Sequence, residues 1–160
     1  MNVLAMCGGL PERDFARGET LIEEGIRTDR LYVLKRGAFE IVRGGVRVVT
    51  IDQPGAFLGE ISAVLGSAPT ASVVATADSA VHVLEAAVAS VRNHPDLLYA
   101  IAQLLAQRLS AVTGYLVDIK RQYAGTDTHL ALMDQVLANL MAMQPGGTQP
   151  GSQRNDVPDY

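Results

Sequence analysis

Between Arg13 and Glu85 the apolar residues come in short runs, each broken by glycine. Gly18, Gly25, Gly37, Gly44, Gly45, Gly55, Gly59 and Gly66 supply the breaks. Short runs at such intervals predict an all-β sandwich or barrel. Leu31-Tyr32-Val33-Leu34 and Phe39-Glu40-Ile41-Val42 are two predicted strands separated by a turn at Gly37. Gly44-Gly45 lies between 39–43 and 46–51 and predicts a hairpin, because glycine supplies the positive φ angles that a two-residue turn needs. A later pair of runs, 71–75 and 80–84, flanks Ala77-Asp78-Ser79.

After Glu85 the period lengthens. Residues 86–92 predict a short helix that stops at Asn93-His94-Pro95, since proline disfavours helix at the residue before it. Pro95 and Asp96 suit the first turn of a new helix that runs to about Tyr123, with Gly125 as a stop signal. Its apolar row is Leu98, Ile101, Leu105, Leu109, Val112, Leu116, Ile119 and Tyr123. Alternating steps of three and four fit a coiled-coil seam, and a core-facing amphipathic helix gives a similar row. The seam is favoured because the row is long and charged residues avoid it. A further amphipathic helix is expected from Thr128 to Met143, with Leu130, Met133, Leu137, Leu140 and Met141 on its apolar side. Residues 144–160 show no period and read as a disordered tail.

Composition narrows the function classes. A length of 160 residues with 48% hydrophobic content predicts one domain with a real core. The net charge of −4 disfavours a surface built to neutralise nucleic-acid phosphates. A single cysteine, Cys7, excludes an internal disulfide and a Cys-based metal site, and reads as a free thiol near a loose terminus. His82, His94 and His129 lie far apart without ligand spacing, so no metal site is expected. No catalytic elbow, phosphate loop of the Walker type or paired catalytic carboxylates occurs, so no catalytic residue is assigned. Neither a signal peptide nor a membrane span is recognised, and the expectation is a cytoplasmic protein.

The chemically informative stretch is Pro54-Gly55-Ala56-Phe57-Leu58-Gly59-Glu60-Ile61-Ser62-Ala63. A glycine-rich turn runs directly into a segment able to begin a helix, where unpaired N–H groups favour an anion. Glu60 lies in the same turn, and a carboxylate accepts hydrogen bonds from a hydroxyl pair such as a ribose edge. Together the two features suit a ribose phosphate, although a Gly-Glu turn is more often just a turn.

From Arg13 to Tyr123 the sequence resembles the cyclic nucleotide-binding domains of the catabolite activator protein family. The resemblance rests on Gly18-Glu19-x-Leu21, Glu24-Gly25, Asp29-x-Leu31-Tyr32-Val33-Leu34 and Gly37. It continues through Pro54-Gly55-x-Phe57-x-Gly59-Glu60, Thr70-Ala71-Ser72-Val73, Ala75 and His94-Pro95-Asp96. It implies an α+β fold, a β jelly-roll barrel followed by C-terminal helices, with the domain over 13–123, a separate amphipathic helix over 128–143 and the tail beyond it. It also implies a phosphate-binding cassette at Gly59, Glu60, Ile61 and Ser62, closed by Thr70 and Ala71. Glu60 takes the ribose 2′-hydroxyl role, and Thr113 falls where the long helix reaches the purine from a partner subunit.

One departure stands out. The family's cassette normally ends Pro-Arg-Ser/Thr-Ala, and here Ala68-Pro69-Thr70-Ala71 places Pro69 at the arginine position. Proline offers neither charge nor N–H. Losing a charge-assisted hydrogen bond costs roughly 1.5–3 kcal/mol, or about one to two decades of affinity. Arg27 and Arg30, before the strand 31–34, read as solvated loop charges rather than substitutes. The sequence also lacks a cationic helix-turn-helix after Tyr123, since 128–143 holds no Lys or Arg. The resulting expectation is a stand-alone, non-enzymatic regulatory domain with no cofactor. It would bind cyclic AMP, cyclic GMP or a related small ligand, weakened by Pro69. It would dimerise through the Pro95 to Tyr123 helix, meet a protein partner at 128–143, and engage neither nucleic acid nor membrane. The alternative is a barrel that has lost its ligand and serves as a protein-interaction module.

Overall fold

The four-residue run Leu31-Tyr32-Val33-Leu34 is buried throughout, so the strand that carries it is covered on both faces. Side chains alternate sides along a strand. Tyr32 and Leu34 therefore join one apolar cluster with Phe15, Ile22, Phe39, Leu58, Val81 and Val83. Leu31 and Val33 join another with Phe57, Leu84, Val91, Leu97 and Ile101. The first cluster fills the space between two sheets, and the second lies between one sheet and the helices.

The computed structural model describes residues 2–123 and 127–142. A helical turn α1 (Val3–Met6) precedes the strands β1 (Glu12–Phe15), β2 (Thr20–Ile22), β3 (Leu31–Arg36), β4 (Phe39–Arg43), β5 (Val46–Ile51) and β6 (Phe57–Leu58). A short helix α2 (Glu60–Leu65) follows, then β7 (Ser72–Ala75), β8 (Ser79–Leu84), and the helices α3 (Ala87–Asn93), α4 (Pro95–Gln122) and α5 (Asp127–Ala142). The strands pair in two sheets, in the orders β1-β8-β3-β6 and β2-β7-β4-β5, with every pairing antiparallel. This is the expected jelly-roll barrel with helices after it. Gly125, Met143 and the tail 144–160 lie outside the described residues.

The Gly44-Gly45 hairpin forms as expected, with β4 against β5. Elsewhere, order along the chain does not set which strands pair. The runs 71–75 and 80–84 do not pair with each other: β7 pairs with β2 and β4, while β8 pairs with β1 and β3. Likewise β3 and β4, adjacent in sequence across Gly37, belong to opposite sheets. A Greek-key chain crosses from sheet to sheet at such corners, so neighbours in sequence are not neighbours in the ladder. The N-terminus is also less loose than its composition suggests. Cys7 is fully buried in the helix-side cluster, and burial pushes its thiol pKa up, away from the reactive thiolate.

Contacts divide the chain into two units, the first ending at Leu105 and the second beginning at Ala106. Within the first, α4 turns Leu97, Ala100 and Ile101 into the core, with Leu104 and Leu105 packed beside them, while Leu98 points outward. The core-facing stripe thus begins one residue earlier than the sequence row. Within the second unit, Leu109 and Val112 are exposed, and Lys120 is paired with Asp134 of α5. Of the long apolar row, Ile101 is core, Leu105, Leu116 and Ile119 are half-buried, and Leu98, Leu109, Val112 and Tyr123 are exposed.

The corner between the sheets depends on Gly37. Its φ is +92°, and a Cβ there would lie 2.2 Å from Ser79 Oγ and 2.6 Å from Ser79 Cα. Ser79 is buried, and its hydroxyl accepts from the Ala38 N–H at 3.0 Å and donates to the Ala77 carbonyl at 2.8 Å. Gly37→Ala combines a left-handed alanine with a backbone clash and should lower unfolding free energy by at least about 2 kcal/mol in urea denaturation. An unchanged midpoint would contradict the close approach of this corner to Ser79.

Candidate functional site

The site forms where β6 hands over to α2. Gly59 sits between them at φ +88°, and Gly66 ends α2 at φ +64°. Both conformations suit glycine because they carry a steric cost for residues with a Cβ. At Gly59 a Cβ would also approach Ile22 Cδ1 to 3.1 Å and the Arg30 carbonyl oxygen to 3.4 Å. The residues between β2 and β3 therefore lie directly against the start of α2.

A cavity of about 20 Å³ lies there, lined by Gly59, Ser62, Ala63, Ser67 and Pro69 from the α2 side and by Ile22, Arg27, Thr28, Asp29 and Arg30 from the β2–β3 loop. That volume accommodates about one water molecule. Of the residues singled out from sequence, Gly59 and Ser62 line it, and Pro69 faces it from the arginine position. Glu60 is buried in the first turn of α2 and is not part of the lining. Ile61 and Thr70 are exposed and Ala71 is half-buried, all outside the lining. Thr113 is half-buried on the part of α4 that belongs to the second unit. A larger cavity of about 250 Å³, between Met6 and Leu10 on one side and His94 and Leu97 on the other, touches none of the expected ligand residues.

On the β2–β3 loop, Arg27 is exposed, as expected of a loop charge, and Arg30 is half-buried, and both also line the cavity. They differ in what they can offer. The Arg30 Nε donates to both oxygens of Glu85 at 2.8 and 3.1 Å, and this bond raises the guanidinium pKa further. Arg27 makes no hydrogen bond or ion pair among the described residues. Its Nη2 lies 3.9 Å from where a Cβ of Gly66 would be, at the C-terminal end of α2. The Pro69 carbonyl accepts from the Gly25 N–H at 2.8 Å, lacing the segment after α2 to the start of the same loop. The available signal was the polar block Arg27-Thr28-Asp29-Arg30 between two apolar strands, but such a block is usually solvated surface.

Asp29 links this loop to α3. It holds a left-handed conformation, φ +50°, unusual for a residue with a side chain. From there its carbonyl accepts from the Ala87 N–H at 2.9 Å and its Oδ1 accepts from the Val88 N–H at 3.2 Å. Two of the orphan donors at the start of α3 are thereby satisfied by one residue of the cavity wall. Elsewhere, His82 lies buried on β8, its Nδ1 without a hydrogen bond and 3.8 Å from Glu12 Oε1. No group of three His, Cys, Asp or Glu side chains placed to hold a metal ion occurs among the described residues. No described helix is long and apolar enough to cross a membrane.

Asp29→Ala keeps the backbone bond but removes the carboxylate and leaves an alanine in the left-handed region. It should cost about 1–2 kcal/mol of stability, with the Val88 amide losing hydrogen-exchange protection more than amides in β4. Uniform loss of protection across the barrel would argue against a local tie to α3.

Comparison with known proteins agrees with this architecture. The family model described as the cyclic nucleotide-binding domain matches residues 12–90, a span that takes in all eight strands and α2. The catabolite activator protein of Thermus thermophilus superposes with a TM-score of 0.60 at 22% identity, covering 91% of this chain and 86% of that one. The N-terminal domain of a transcriptional regulator from Streptomyces coelicolor A3(2) gives 0.51 at 24% identity, over 70% of this chain and 82% of that one. The regulatory domain of Toxoplasma gondii PKA, solved with cAMP, gives 0.53 at 21% identity, over 64% of this chain but only 39% of that one. The structural likenesses establish the fold, and residues 12–90 are matched as a cyclic nucleotide-binding domain.

Proposed function

We propose that the chain is a non-enzymatic regulatory domain whose cavity beside α2 takes the anionic end of a cyclic nucleotide or a related small ligand. The observation that carries this reading is the convergence of Gly59, Ser62 and the Pro69 position with the β2–β3 loop on one cavity. By the resemblance read in the sequence these fall on cassette positions, and the family model spans them. The cAMP in the Toxoplasma gondii relative sets the ligand class to try first. Output would pass through Asp29, because whatever shifts the cavity wall also shifts the group that holds α3. A ligand biases such an element only by binding one of its positions more tightly than the other.

The cavity of about 20 Å³ is far below the roughly 300 Å³ of an ordinary ligand pocket. A nucleotide therefore enters only if the 27–30 loop and the 67–70 segment part. That same size, together with Pro69, favours the second reading, a barrel without a ligand that acts through protein contacts, with Val136 of α5 among its exposed apolar residues. Calorimetric titration with cyclic AMP and cyclic GMP separates the two. The first reading expects binding that weakens at least tenfold in Glu60→Ala and strengthens about tenfold or more in Pro69→Arg. No heat at millimolar ligand for either the native chain or Pro69→Arg would favour the second.

The proposed unit is a homodimer formed along the outer half of α4, where Leu109 and Val112 are both about half exposed at 49% and 51%. Their spacing of three fits one stripe of a helix pair. Sedimentation velocity should give a dimer for the native chain and a monomer for Leu109→Glu. Equal masses for the two would remove α4 as the seam.

A further inference from the structure

We propose that Arg27, from the β2–β3 loop, supplies the counter-charge for the ligand's anionic group in place of the arginine that Pro69 replaces. The inference rests on the ligand-binding reading above and adds to it a residue outside the cassette segment. Four observations carry it.

First, the other charged groups of the lining are engaged, and Arg27 is not. Arg30 is held by Glu85 through both carboxylate oxygens, and the Asp29 carboxylate is directed at the Val88 N–H. Arg27 lines the same cavity and has no hydrogen-bond or ion-pair partner among the described residues. Second, neutral hydroxyls share the lining: Ser62 and Ser67 stand on the α2 side, and Thr28 stands beside Arg27 on the loop. A guanidinium opposite hydroxyls suits a tetrahedral or planar oxyanion, which takes charge from one side and hydrogen bonds from the other. Third, the loop is held in place without Arg27. The Gly25 N–H bond to the Pro69 carbonyl fixes one end and the Asp29 bonds to α3 fix the other, so the guanidinium is carried on anchored backbone. Fourth, Pro69 lines the cavity as well, so the position that lost its charge and the cation that remains face the same space.

An arginine at position 27 reaches the anion from the opposite wall to one at position 69. The ligand's charge then draws the β2–β3 loop onto itself rather than the segment after α2. Because Asp29 lies two residues along the same loop, the counter-charge and the tie to α3 move together.

The test compares cyclic AMP with adenosine, which lacks the phosphate, by calorimetry at low and high salt. In the native chain cyclic AMP should bind more tightly than adenosine, and the advantage should shrink with salt. Arg27→Gln should reduce cyclic AMP affinity about 10- to 100-fold and leave adenosine within about twofold. Arg27→Lys should fall between, and the double change Arg27→Gln with Pro69→Arg should recover most of the loss. Arg27 is exposed and unpaired, so thermal melts of these variants should match the native chain, which separates lost binding from lost folding. Native-like cyclic AMP affinity in Arg27→Gln overturns the inference and leaves the ligand reading standing. Absence of cyclic AMP and cyclic GMP binding in both the native chain and Pro69→Arg overturns the ligand reading, and this inference with it.

Discussion

The left-handed turn at Asp29 holds the functional end of the domain together. A non-glycine residue at φ +50° is disfavoured by roughly 1 kcal/mol. Two hydrogen bonds to the first turn of α3 offset that, each contributing about 1 kcal/mol net. Without this conformation the 27–30 loop would not present Arg27 and Arg30 to the cavity while holding α3. The Arg30–Glu85 ion pair reinforces the arrangement from the residue beside Asp29 to the end of β8, although exposure of both side chains keeps its own contribution small.

The sheet behind the loop supplies the rigidity. β3 and β8 are each buried on both faces, so this sheet is shared between the barrel cluster and the helix-side cluster. β3 places Tyr32 and Leu34 against the opposite sheet and Leu31 and Val33 against the helices. A change at the cavity wall is therefore carried on a strand that also packs α3 and the start of α4. Packed interiors transmit such displacements because they have little free volume to absorb them. The route from ligand to helix needs no long chain of contacts, since the loop, β3 and the first turn of α3 are adjacent.

Pro69 and Arg27 line the same cavity from its two walls, and in the reading proposed above the counter-charge comes from Arg27. The backbone frame of the site is intact: Gly59 and Gly66 keep their positive φ angles and Ser62 faces the cavity. A pocket closed to about one water molecule exposes little apolar surface when empty, and its opening is a cost that any ligand must overcome.

Much of the fold was legible in the chain itself. Glycine-punctuated apolar runs specified the strands, Gly44-Gly45 specified a hairpin, and His94-Pro95-Asp96 marked the start of the long helix, because turn chemistry and periodicity are local properties. Local order could not reveal which strands pair: β7 and β8 are neighbours along the chain and lie in different sheets. Nor could it place the core stripe of α4 at Leu97 rather than Leu98, since a row of alternating threes and fours fits either face until the partner surface is known. Motif and spacing singled out Gly59 and Ser62, and both line the cavity. The place of Arg27 and Asp29 at the cavity was not readable, because a polar block between strands looks the same whether it faces water or folds back over a cavity. The sequence by itself determined the barrel, and through its family resemblance put Pro69 at the usual arginine position and Glu60 at the ribose position. Only the tertiary structure decided that a second arginine, 42 residues earlier by the numbering of Arg27 and Pro69, faces the same space, since that proximity comes from strand pairing and a single left-handed residue rather than from any local pattern.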